Sequence, residues 1–445
     1  MYYAATVPAI VESQDDSAEV ANACLDAFRK KAKETSEFHA SNSGTEAGNS
    51  RGVLQICSSR PELKVTKTPR DALIRLSYVL RKMGVLSVVP IGSGKFSEVF
   101  SGRNAEGNTT GHAIKVSKTA SSLVSIKEGQ AGTEAFAMHL GAMYAKSGGF
   151  SPFMPALELL AVPADGDQYV AVLLMDEAKG TATEFVKMLA KGIMSDGSFS
   201  HPGLEKARAF FRALLERLLA LHKLGIAHRD LKPANILMDG VNTVFLSDPA
   251  FAMFPTSVHI LPSPGASPPI QKRPSQLGTE RAQQILLGAT GGKDVQHSPL
   301  ENQAPRSIVA IDPTELEMIF TRQFRISSNA GTHAFTGPEF PFRSDRGAMT
   351  SSDFLPGDMW AVGIILLRIF SGDKAPWVTG WVEKTTMANS SPQDFWVKYL
   401  TCSGTPSADP TVLSAIDFVR RLLQADPAER LTCSAALEHP FLQRQ

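Results

Sequence analysis

Short apolar runs separated by turn residues predict β-strands in the first part of the chain. Residues 91–100 read as a strand, a glycine-rich turn and a returning strand, and residues 112–116 are an apolar run with one lysine. Residues 169–175 are continuously apolar and end at a polar break, which is typical of a buried strand. The region of about 85–176 is therefore predicted to be mainly β-sheet.

Apolar residues at helical spacing predict helices, most of them farther along the chain. Residues 69–83 have an amphipathic pattern, residues 133–140 are rich in helix formers, and an apolar stretch begins at Asp358. Residues 204–223 carry the clearest helical spacing. The apolar positions of that segment are Phe210, Phe211, Leu214, Leu215, Leu218 and Leu221.

Composition limits the classes of function. With 445 residues, of which 43% are hydrophobic and 20% are charged, the chain can bury a two-lobed core. A net charge of +1 argues against direct nucleic-acid binding. The four cysteines have no metal-binding spacing, the N-terminus lacks the regions of a secretory signal, and no apolar run reaches membrane-spanning length. We expect a nuclear or cytoplasmic protein without membrane contact.

The strongest chemical signal is the stretch 228–235, which reads HRDLKPAN. It contains a carboxylate at Asp230, a lysine at Lys232 and an amide at Asn235, and an apolar run follows, as expected where a loop enters a strand. The whole stretch matches a known catalytic-loop pattern without a mismatch. A solvated charged loop is the alternative, and an eight-residue match makes it the weaker one.

The turn within residues 91–100 has the composition of a phosphate-binding loop. Gly92 and Gly94 would let the backbone approach an anion, and exposed amides could then bind its oxygens. Ser97 stands where a third glycine would complete the pattern. Two glycines alone are more often a hairpin turn, so this motif depends on the residues that follow it.

Lys115 lies between apolar neighbours in the strand 112–116, where an unpaired ammonium group would be costly. It therefore needs an anionic partner. Glu134, in the predicted helix 133–140, is the preferred partner. Glu128 competes with it, but the glycines at 129 and 132 weaken a helix at that point.

Asp248 follows the apolar run 244–246 and precedes Pro249 and Ala250. Its carboxylate oxygens suit Mg²⁺. Proline restricts the residue before it, and alanine narrows the backbone conformations that glycine would allow. The sequence therefore predicts a segment held in one state, without deciding which.

Taken in order, these motifs resemble the eukaryotic protein kinase domain over residues of about 85–443. The resemblance implies an α+β, bilobal fold, with a small, mainly β N-lobe that contains a C-helix and a large, mainly α C-lobe. It also implies Mg²⁺-dependent transfer of the γ-phosphate of ATP to protein hydroxyls. Lys232 is typical of the serine/threonine-specific members.

The resemblance assigns a role to each motif residue. Asp230 would be the catalytic base, Lys232 would lie beside the γ-phosphate, and Thr332 would contact both near the acceptor. Lys115, held by Glu134 on the C-helix, would contact the α- and β-phosphates. Asn235 and Asp248 would hold the metal ions.

The resemblance also implies a nucleotide pocket and two structural supports. Asp358 would hold the catalytic-loop backbone, and Glu339 and Arg430 would form a buried ion pair. The backbone of 176–178 would offer hydrogen bonds to adenine. The expected nucleotide-binding residues are Ile91, Gly92, Ser93, Gly94, Val99, Ala113, Lys115, Met175, Asp176 and Ala178.

Within this family, the chain looks most like the cell-division-cycle-seven type that fires replication origins. The features that carry this likeness are the glycine-rich loop at 92–99, the stretches 329–335 and 358–365, and a long insert in the activation segment. The chain departs from that type at Pro249, at Ala250 and at Gly337, where alanine is usual, and it lacks a second large insert.

The predicted organisation is a largely disordered tail at 1–68 and a kinase domain at 69–445, with its N-lobe at about 85–176 and its C-lobe at about 180–443. The tail includes one candidate helix at 16–38. Residues 254–328 are read as an insert in the activation segment.

The insert is expected to be a flexible loop with one helix near its end. Asp312 and Pro313 resemble a helix start and predict a helix over 315–324, whose apolar residues could dock on the kinase or on a regulatory subunit. A regulatory subunit could also dock on the N-lobe. The insert contains Ser-Pro pairs that are either phosphorylation sites or ordinary features of a polar loop; these begin at Ser263, Ser267 and Ser298.

Arg229 before Asp230 suggests control by a phosphate in the activation segment, with Ser327, Ser328 and Thr336 as candidate acceptors. The alternative function is a pseudokinase that binds nucleotide or a partner and acts as a scaffold or allosteric regulator. Ser97, together with the Pro-Ala pair after Asp248, motivates that alternative.

Overall fold

The computed structural model describes residues 54–57, 65–193, 201–240, 242–255, 257–260, 307–321, 324–326, 331–339, 348–371 and 410–443. The candidate helix at 16–38, the three Ser-Pro pairs, Ser327 and Ser328 lie outside these residues.

The described residues contain thirteen strands and ten α-helices. The strands are β1 (Gln55–Ile56), β2 (Ser87–Ser93), β3 (Ser97–Arg103), β4 (Thr109–Ser117), β5 (Ala156–Pro163), β6 (Tyr169–Asp176), β7 (Gly180–Thr181), β8 (Ile236–Met238), β9 (Val244–Leu246), β10 (Ser257–Ile260), β11 (Val309–Ala310), β12 (Phe324–Ile326) and β13 (Ala348–Met349). The helices are α1 (Lys67–Arg75), α2 (Ser77–Lys82), α3 (Leu123–Glu128), α4 (Gln130–Lys146), α5 (Ala182–Ile193), α6 (His201–Lys223), α7 (Pro313–Phe320), α8 (Leu355–Ser371), α9 (Pro410–Leu422) and α10 (Cys433–Leu437).

The N-lobe is built on a seven-stranded sheet in the order β1-β2-β3-β4-β6-β5-β11. Its strands pair antiparallel except for β1, which joins β2 in parallel. All but the end residues of β6 are buried, as its continuous apolar run requires. The strands predicted within 91–100, 112–116 and 169–175 are confirmed. The short edge strands β1 and β11 were not predicted, because two residues carry no periodic signal.

Helices α1 and α2 cover one face of this sheet. Buried Leu73, Leu76 and Leu80 pack in the same core cluster as Phe100 of β3. The single helix predicted over 69–83 is therefore two helices, which meet at Leu76. Both β1 and the first residues of α1 belong to the segment 1–68, so ordered structure begins before the predicted boundary of the kinase domain.

The C-lobe is helical and is centred on α6 and α8. The six apolar positions predicted for α6 are all fully buried. Trp360 of α8 is also fully buried, and the Arg430 guanidinium lies 5.1 Å from its ring centroid. Arg430 makes two bonds to the Glu339 carboxylate, at 2.7 and 2.9 Å, so the buried ion pair implied by the resemblance is present. The α+β bilobal fold is confirmed.

The end of the insert 254–328 forms a helix that packs on the N-lobe, as the sequence predicted, with Leu316 and Phe320 in the same core cluster as Phe136. The helix predicted over 315–324 runs instead from Pro313 to Phe320. It begins earlier because the Asp312 side chain accepts a hydrogen bond from the Thr314 amide. It ends earlier because Phe324 belongs to β12, which pairs with β10. Among the described helices, none combines the length and the apolar character needed to cross a bilayer.

Candidate active site

The loop 228–235 connects α6 to β8 and is held by the buried carboxylate of Asp358. That carboxylate accepts hydrogen bonds from the backbone amides of His228 at 2.8 Å and of Arg229 at 2.9 Å. Arg229 has φ 67, a left-handed conformation that non-glycine residues seldom adopt. Two bonds to a charged acceptor offset this strain. Asp358 thus has the supporting contacts that the resemblance implies.

Asp230 lies at the centre of a group of four side chains. Its Oδ1 accepts a hydrogen bond from the Thr332 hydroxyl at 2.6 Å. Its Oδ2 accepts bonds from Lys232 Nζ at 2.7 Å and from Asn235 Nδ2 at 3.0 Å. Lys232 also donates to the Thr332 hydroxyl at 2.8 Å, so one lysine joins the loop to the end of the activation segment. These bonds fix the orientation of the Asp230 carboxylate.

Across the cleft, Lys115 bridges two carboxylates. Its Nζ lies 2.6 and 2.8 Å from the two oxygens of Glu134 on α4, and 2.6 Å from Oδ1 of Asp248. Glu128, the competing candidate, is exposed at the end of α3. Burial by itself would lower the pKa of Lys115, but the two carboxylates outweigh it and raise that pKa, which keeps the ammonium charged.

The two carboxylates differ in environment. Burial raises the pKa of Glu134, and the Asp248 charge adds to this effect against the attraction of Lys115. Burial also opposes ionisation of Asp248, but Lys115 outweighs it and lowers the pKa of that carboxyl. The Asp248 side chain is 40% exposed and the Glu134 side chain 6%, so the ionised carboxylate that can reach a ligand is that of Asp248.

The glycine-rich turn is a tight hairpin between β2 and β3. The Gly94 amide donates to the Ser97 carbonyl at 2.9 Å, and Lys118 Nζ donates to the Gly94 carbonyl at 2.7 Å and to the Ser93 hydroxyl at 2.9 Å. A Cβ on Gly92 or Gly94 would make only ordinary contacts, at 3.8 and 3.7 Å, and neither residue has a positive φ. The fold itself does not require glycine here, which favours a ligand that approaches the backbone.

The predicted base pocket lies where β4 and β6 pair. Ala113 lies opposite Met175 in this register, and Val99 of β3 lies opposite both Gly92 and Lys115. Ile91 is 36% exposed.

The backbone after β6 is partly used by the protein itself. The amide of Asp176 donates to the Pro155 carbonyl at 3.0 Å, and the amide of Glu177 donates to the Gly111 carbonyl at 2.7 Å. These two amides are therefore already used, and the expectation that the backbone of 176–178 offers hydrogen bonds to adenine stays a prediction for its remaining groups. Asp176 can offer only its carbonyl, and Ala178 is the residue whose amide suits the predicted role.

The segment after β9 holds Asp248 in an unusual conformation. Asp248 has φ 55, although the following Pro249 limits its backbone further. Its bond to Lys115 shows that the carboxylate is turned towards the N-lobe side of the cleft. The sequence predicted that the segment at Asp248 is held in one state without deciding which. In the structure, the segment is in the state in which Asp248 faces Lys115.

The protein kinases that this chain resembles usually have a phenylalanine at the position of Pro249, and its ring packs under the C-helix. In this chain an aromatic side chain from elsewhere contacts that helix. Phe254, five residues beyond Pro249, is buried with its ring centroid 4.9 Å from that of Phe136 on α4. Phe320 of α7 lies 5.3 Å from the same ring. Sequence reasoning missed this contact, because a lone phenylalanine in a loop gives no signal of its partner.

The residues present fit Mg²⁺ bound together with a phosphate ligand. Asp248 supplies a carboxylate, and Asn235, whose amide nitrogen is bonded to Asp230, has its oxygen left for a cation. In the described ranges, no group of three or more His, Cys, Asp or Glu could hold a metal by itself. Phosphate oxygens would therefore have to complete the coordination, as is usual for Mg²⁺.

Arg229, the predicted phosphate-sensing residue, is partly buried at the base of the activation segment. Burial lowers its pKa to about 10, and its guanidinium lies 4.6 Å from the Phe354 ring centroid. Among the candidate acceptors, Thr336 is described, and its hydroxyl donates to the Thr332 carbonyl at 3.2 Å. Control by phosphate stays a prediction.

Three further contributors to the site were not predicted. Lys118 holds the glycine-rich turn, and no pattern distinguishes it from a surface lysine. The Glu177 carboxylate accepts 2.6 Å bonds from the hydroxyls of Ser101 and Thr109, which anchors the segment after β6. His228 Nε2 lies 2.9 Å from the Ser247 carbonyl and so links the catalytic loop to the residue before Asp248.

Comparison with known proteins agrees with this geometry. The family described as "Protein kinase domain" matches residues 86–257 and 317–442, which is more than half of the chain. The chain therefore belongs to the protein kinase domain family, whose members in general use ATP and Mg²⁺.

Individual relatives are more distant. The chain is 26% identical over 277 residues to the phosphorylase b kinase gamma catalytic chain, liver/testis isoform, of Bos taurus, covering 61% of this chain and 50% of that protein. It is 27% identical over 246 residues to protein kinase PINOID of Oryza sativa subsp. japonica, covering 54% and 44%. It is 25% identical over 264 residues to serine/threonine-protein kinase grp of Drosophila melanogaster, covering 59% and 36%. The chain spans about half the length, or less, of these curated relatives.

Proposed function

We propose that this chain is a serine/threonine protein kinase that transfers the γ-phosphate of ATP to protein hydroxyls. The observation that carries the proposal is the meeting of two charged groups in one cleft. Asp230, Lys232 and Thr332 form the first, and Lys115, Glu134 and Asp248 form the second. The name of one reported relative, serine/threonine-protein kinase grp, supports the same activity.

In the proposed reaction, Asp230 orients the acceptor hydroxyl and takes up its proton. The bonds from Thr332 and Lys232 hold the carboxylate in place, so little reorganisation is needed during the reaction. Lys232 adds a positive charge beside Asp230, where negative charge on the transferred group would develop. Catalysis would come from positioning and charge, with a turnover of roughly 1–100 s⁻¹ in a fully active enzyme.

Lys115 and the glycine-rich turn would bind the phosphates of ATP. Glu134 keeps the ammonium group of Lys115 directed into the cleft. At Gly92 and Gly94 no side chain obstructs the backbone, so anionic oxygens can approach its amides. Asp248 and Asn235 would hold Mg²⁺, which, when bound, neutralises charge on the phosphate oxygens. Ala113, Met175 and Val99 would pack against the base.

A protein acceptor suits the other side of Asp230. A cavity of about 190 Å³ opens there, lined by Arg229, Asp230, Thr332, His333 and Phe335 among others. The catalytic loop, the end of the activation segment and the start of α8 together form its walls. An acceptor side chain in this cavity would lie beside the proposed base.

The pseudokinase alternative has weaker support. Its motivation was Ser97 and the Pro-Ala pair after Asp248. Ser97 lies at the start of β3 and closes the hairpin through its backbone carbonyl, a role open to any residue. Asp248 faces Lys115 despite the altered pair, so neither departure removes a proposed catalytic contact.

A role in cell-cycle or DNA-replication control is proposed on the likeness to the cell-division-cycle-seven type. A nuclear or cytoplasmic location is proposed on the composition and cysteine pattern of the chain. A regulatory subunit that docks on the N-lobe or on the insert 254–328 is a separate proposal.

The test is Mg²⁺-dependent transfer of a labelled γ-phosphate from ATP to a mixed protein substrate. Asp230→Ala should lower the rate by about 10² to 10⁴-fold, the usual contribution of a general base. Asp248→Ala should abolish the dependence on Mg²⁺ along with most of the activity. Equal transfer by the wild type and both variants would contradict the proposal.

A further inference from the structure

The end of the activation-segment insert crosses the N-lobe and covers the C-helix, α4. We name residues 307–320 the strap. Its strand β11 extends the sheet by pairing with β5, with Val309 opposite Ala161 and Ala310 opposite Leu160. The Ile311 amide adds a bond to the Leu159 carbonyl at 2.9 Å. The helix α7 then follows and packs on α3 and α4.

The C-helix is buried on all sides where it carries Glu134. Seven consecutive residues, 132–138, are buried, which covers almost two turns of the helix. A helix at the surface of a small lobe would be expected to expose one face. The strap covers part of the face that such a helix would otherwise expose, since its Leu316 and Phe320 belong to the same core cluster as Phe136.

Three buried phenylalanine rings form the centre of this contact. Phe320 of the strap stacks on Phe136 of α4, with ring centroids 5.3 Å apart and an interplanar angle of 17°. Phe254, from the start of the activation segment, meets Phe136 edge-on at 4.9 Å and lies 5.2 Å from Phe320. Phe136 is two residues beyond Glu134 on the same helix, so a displacement of the helix backbone at Phe136 would also displace Glu134, whose carboxylate holds Lys115.

One ion pair adds to the contact without dominating it. Lys127 Nζ of α3 lies 2.6 Å from Glu315 of the strap, and the Glu315 side chain is 44% exposed. Exposed pairs contribute little to stability. The phenylalanine rings, each about 2% exposed, are the part of the interface that can hold α4 firmly.

We propose that the strap is a built-in activator and that Phe320 is a positioning residue, which holds α4 where Glu134 reaches Lys115. This inference rests on the proposed kinase activity. The activation segment itself then provides, through its insert, the cover for the C-helix that a separate regulatory subunit would otherwise have to provide. The isolated chain should accordingly have Glu134 engaged without a partner protein.

The test compares Phe320→Ala with Met318→Ala in the full chain. Met318 lies on the same helix but is 58% exposed and lies outside the core cluster that contains Phe136, so it serves as the matched control. Hydrogen–deuterium exchange of peptides covering 130–146 is measured first, and the turnover number at saturating ATP second. We expect Phe320→Ala to speed exchange in 130–146 and to lower turnover by about 10-fold or more, as the population with Glu134 engaged falls. Met318→Ala should leave both unchanged.

A second variant and a second background separate positioning from general destabilisation. Phe320→Leu keeps apolar volume and should restore part of the turnover. In a Glu134→Gln background, Phe320→Ala should cost little further activity, because the contact through which it acts is already lost. Equal fold losses in both backgrounds would overturn the proposal.

The exchange measurement also separates this inference from the proposed function. If the wild type transfers no phosphate, the kinase proposal fails. Faster exchange in residues 130–146 of Phe320→Ala than in the wild type would still show that the strap holds the C-helix. Unchanged exchange in both folded Phe320 variants would overturn the strap proposal, whatever the activity of the chain.

Discussion

Thr332 joins the activation segment to the proposed catalytic base, which makes it the most informative position for a substitution. Its hydroxyl donates to Asp230 at 2.6 Å and accepts from Lys232 at 2.8 Å. Thr332→Val keeps the shape of the side chain but removes both bonds, whereas Thr332→Ser keeps the hydroxyl. The two variants therefore separate the hydrogen bonds from the packing.

The size of the effect follows from what remains after the substitution. Lys232 still donates to Asp230 Oδ2 at 2.7 Å, so the carboxylate loses one of its charge-assisted bonds and keeps the others. One bond to a charged group is worth about 1.5–3 kcal/mol. If that bond orients the base in the transition state, kcat/KM for the protein substrate should fall roughly 10- to 150-fold.

The assay is steady-state phosphate transfer with the protein substrate varied at saturating ATP. Thr332 contacts neither Lys115 nor the glycine-rich turn, so the KM for ATP should stay unchanged in Thr332→Val. Thr332→Ser should retain most of the activity. Full activity of Thr332→Val, or equal losses in the Val and Ser variants, would refute the reasoning.

Two further predictions concern the supports of the site. A Cβ on Gly337 would lie 2.6 Å from Oε1 of Glu339, whose carboxylate is fixed by Arg430, so Gly337→Ala should destabilise the protein by about 1–3 kcal/mol in thermal unfolding. Gly180→Ala, at a position with no atom within 4 Å, is the control, and equal melting temperatures for the two variants would contradict the prediction. Burial alone would lower the pKa of His222, but its interactions with Cys433 and Asp358 outweigh burial and raise that pKa from 6.5 to about 10. The charged ring therefore stabilises the fold fully below about pH 6.5 and progressively less as the pH rises to 10. The difference in melting temperature between wild type and His222→Gln should accordingly narrow from pH 6.5 to pH 10. A constant difference over this range would contradict the prediction.

The chemistry of the site was predictable because it depends on residues that recur in a fixed order. HRDLKPAN, the strand lysine Lys115 and the carboxylate Asp248 each have a chemical requirement that few other residue types meet. The strand at 169–175 and the helix at 204–223 were predictable for a different reason, since their apolar periodicity reports burial directly.

Other features depend on contacts between distant parts of the chain, and local patterns do not report them. The helix start at Asp312 was recognisable, but nothing local indicated that Phe320 would stack on Phe136. The left-handed backbone at Arg229 and Asp248 is imposed by the partners Asp358 and Lys115, and it contradicts local preference. Gly337 likewise looked like a departure from a family pattern, until the position of the Glu339 carboxylate gave it a steric reason.

Whether this chain transfers phosphate to serine and threonine is tested most directly by identifying the labelled amino acids. Wild type and the isosteric variant Asp230→Asn would each be incubated with Mg²⁺, γ-labelled ATP and a mixed protein substrate, and the hydrolysed product would be separated into its phosphoamino acids. We predict labelled phosphoserine or phosphothreonine with the wild type and almost none with Asp230→Asn. Labelling no greater than that of Asp230→Asn, from a wild-type chain whose melting temperature still rises with ATP, would contradict the proposed activity.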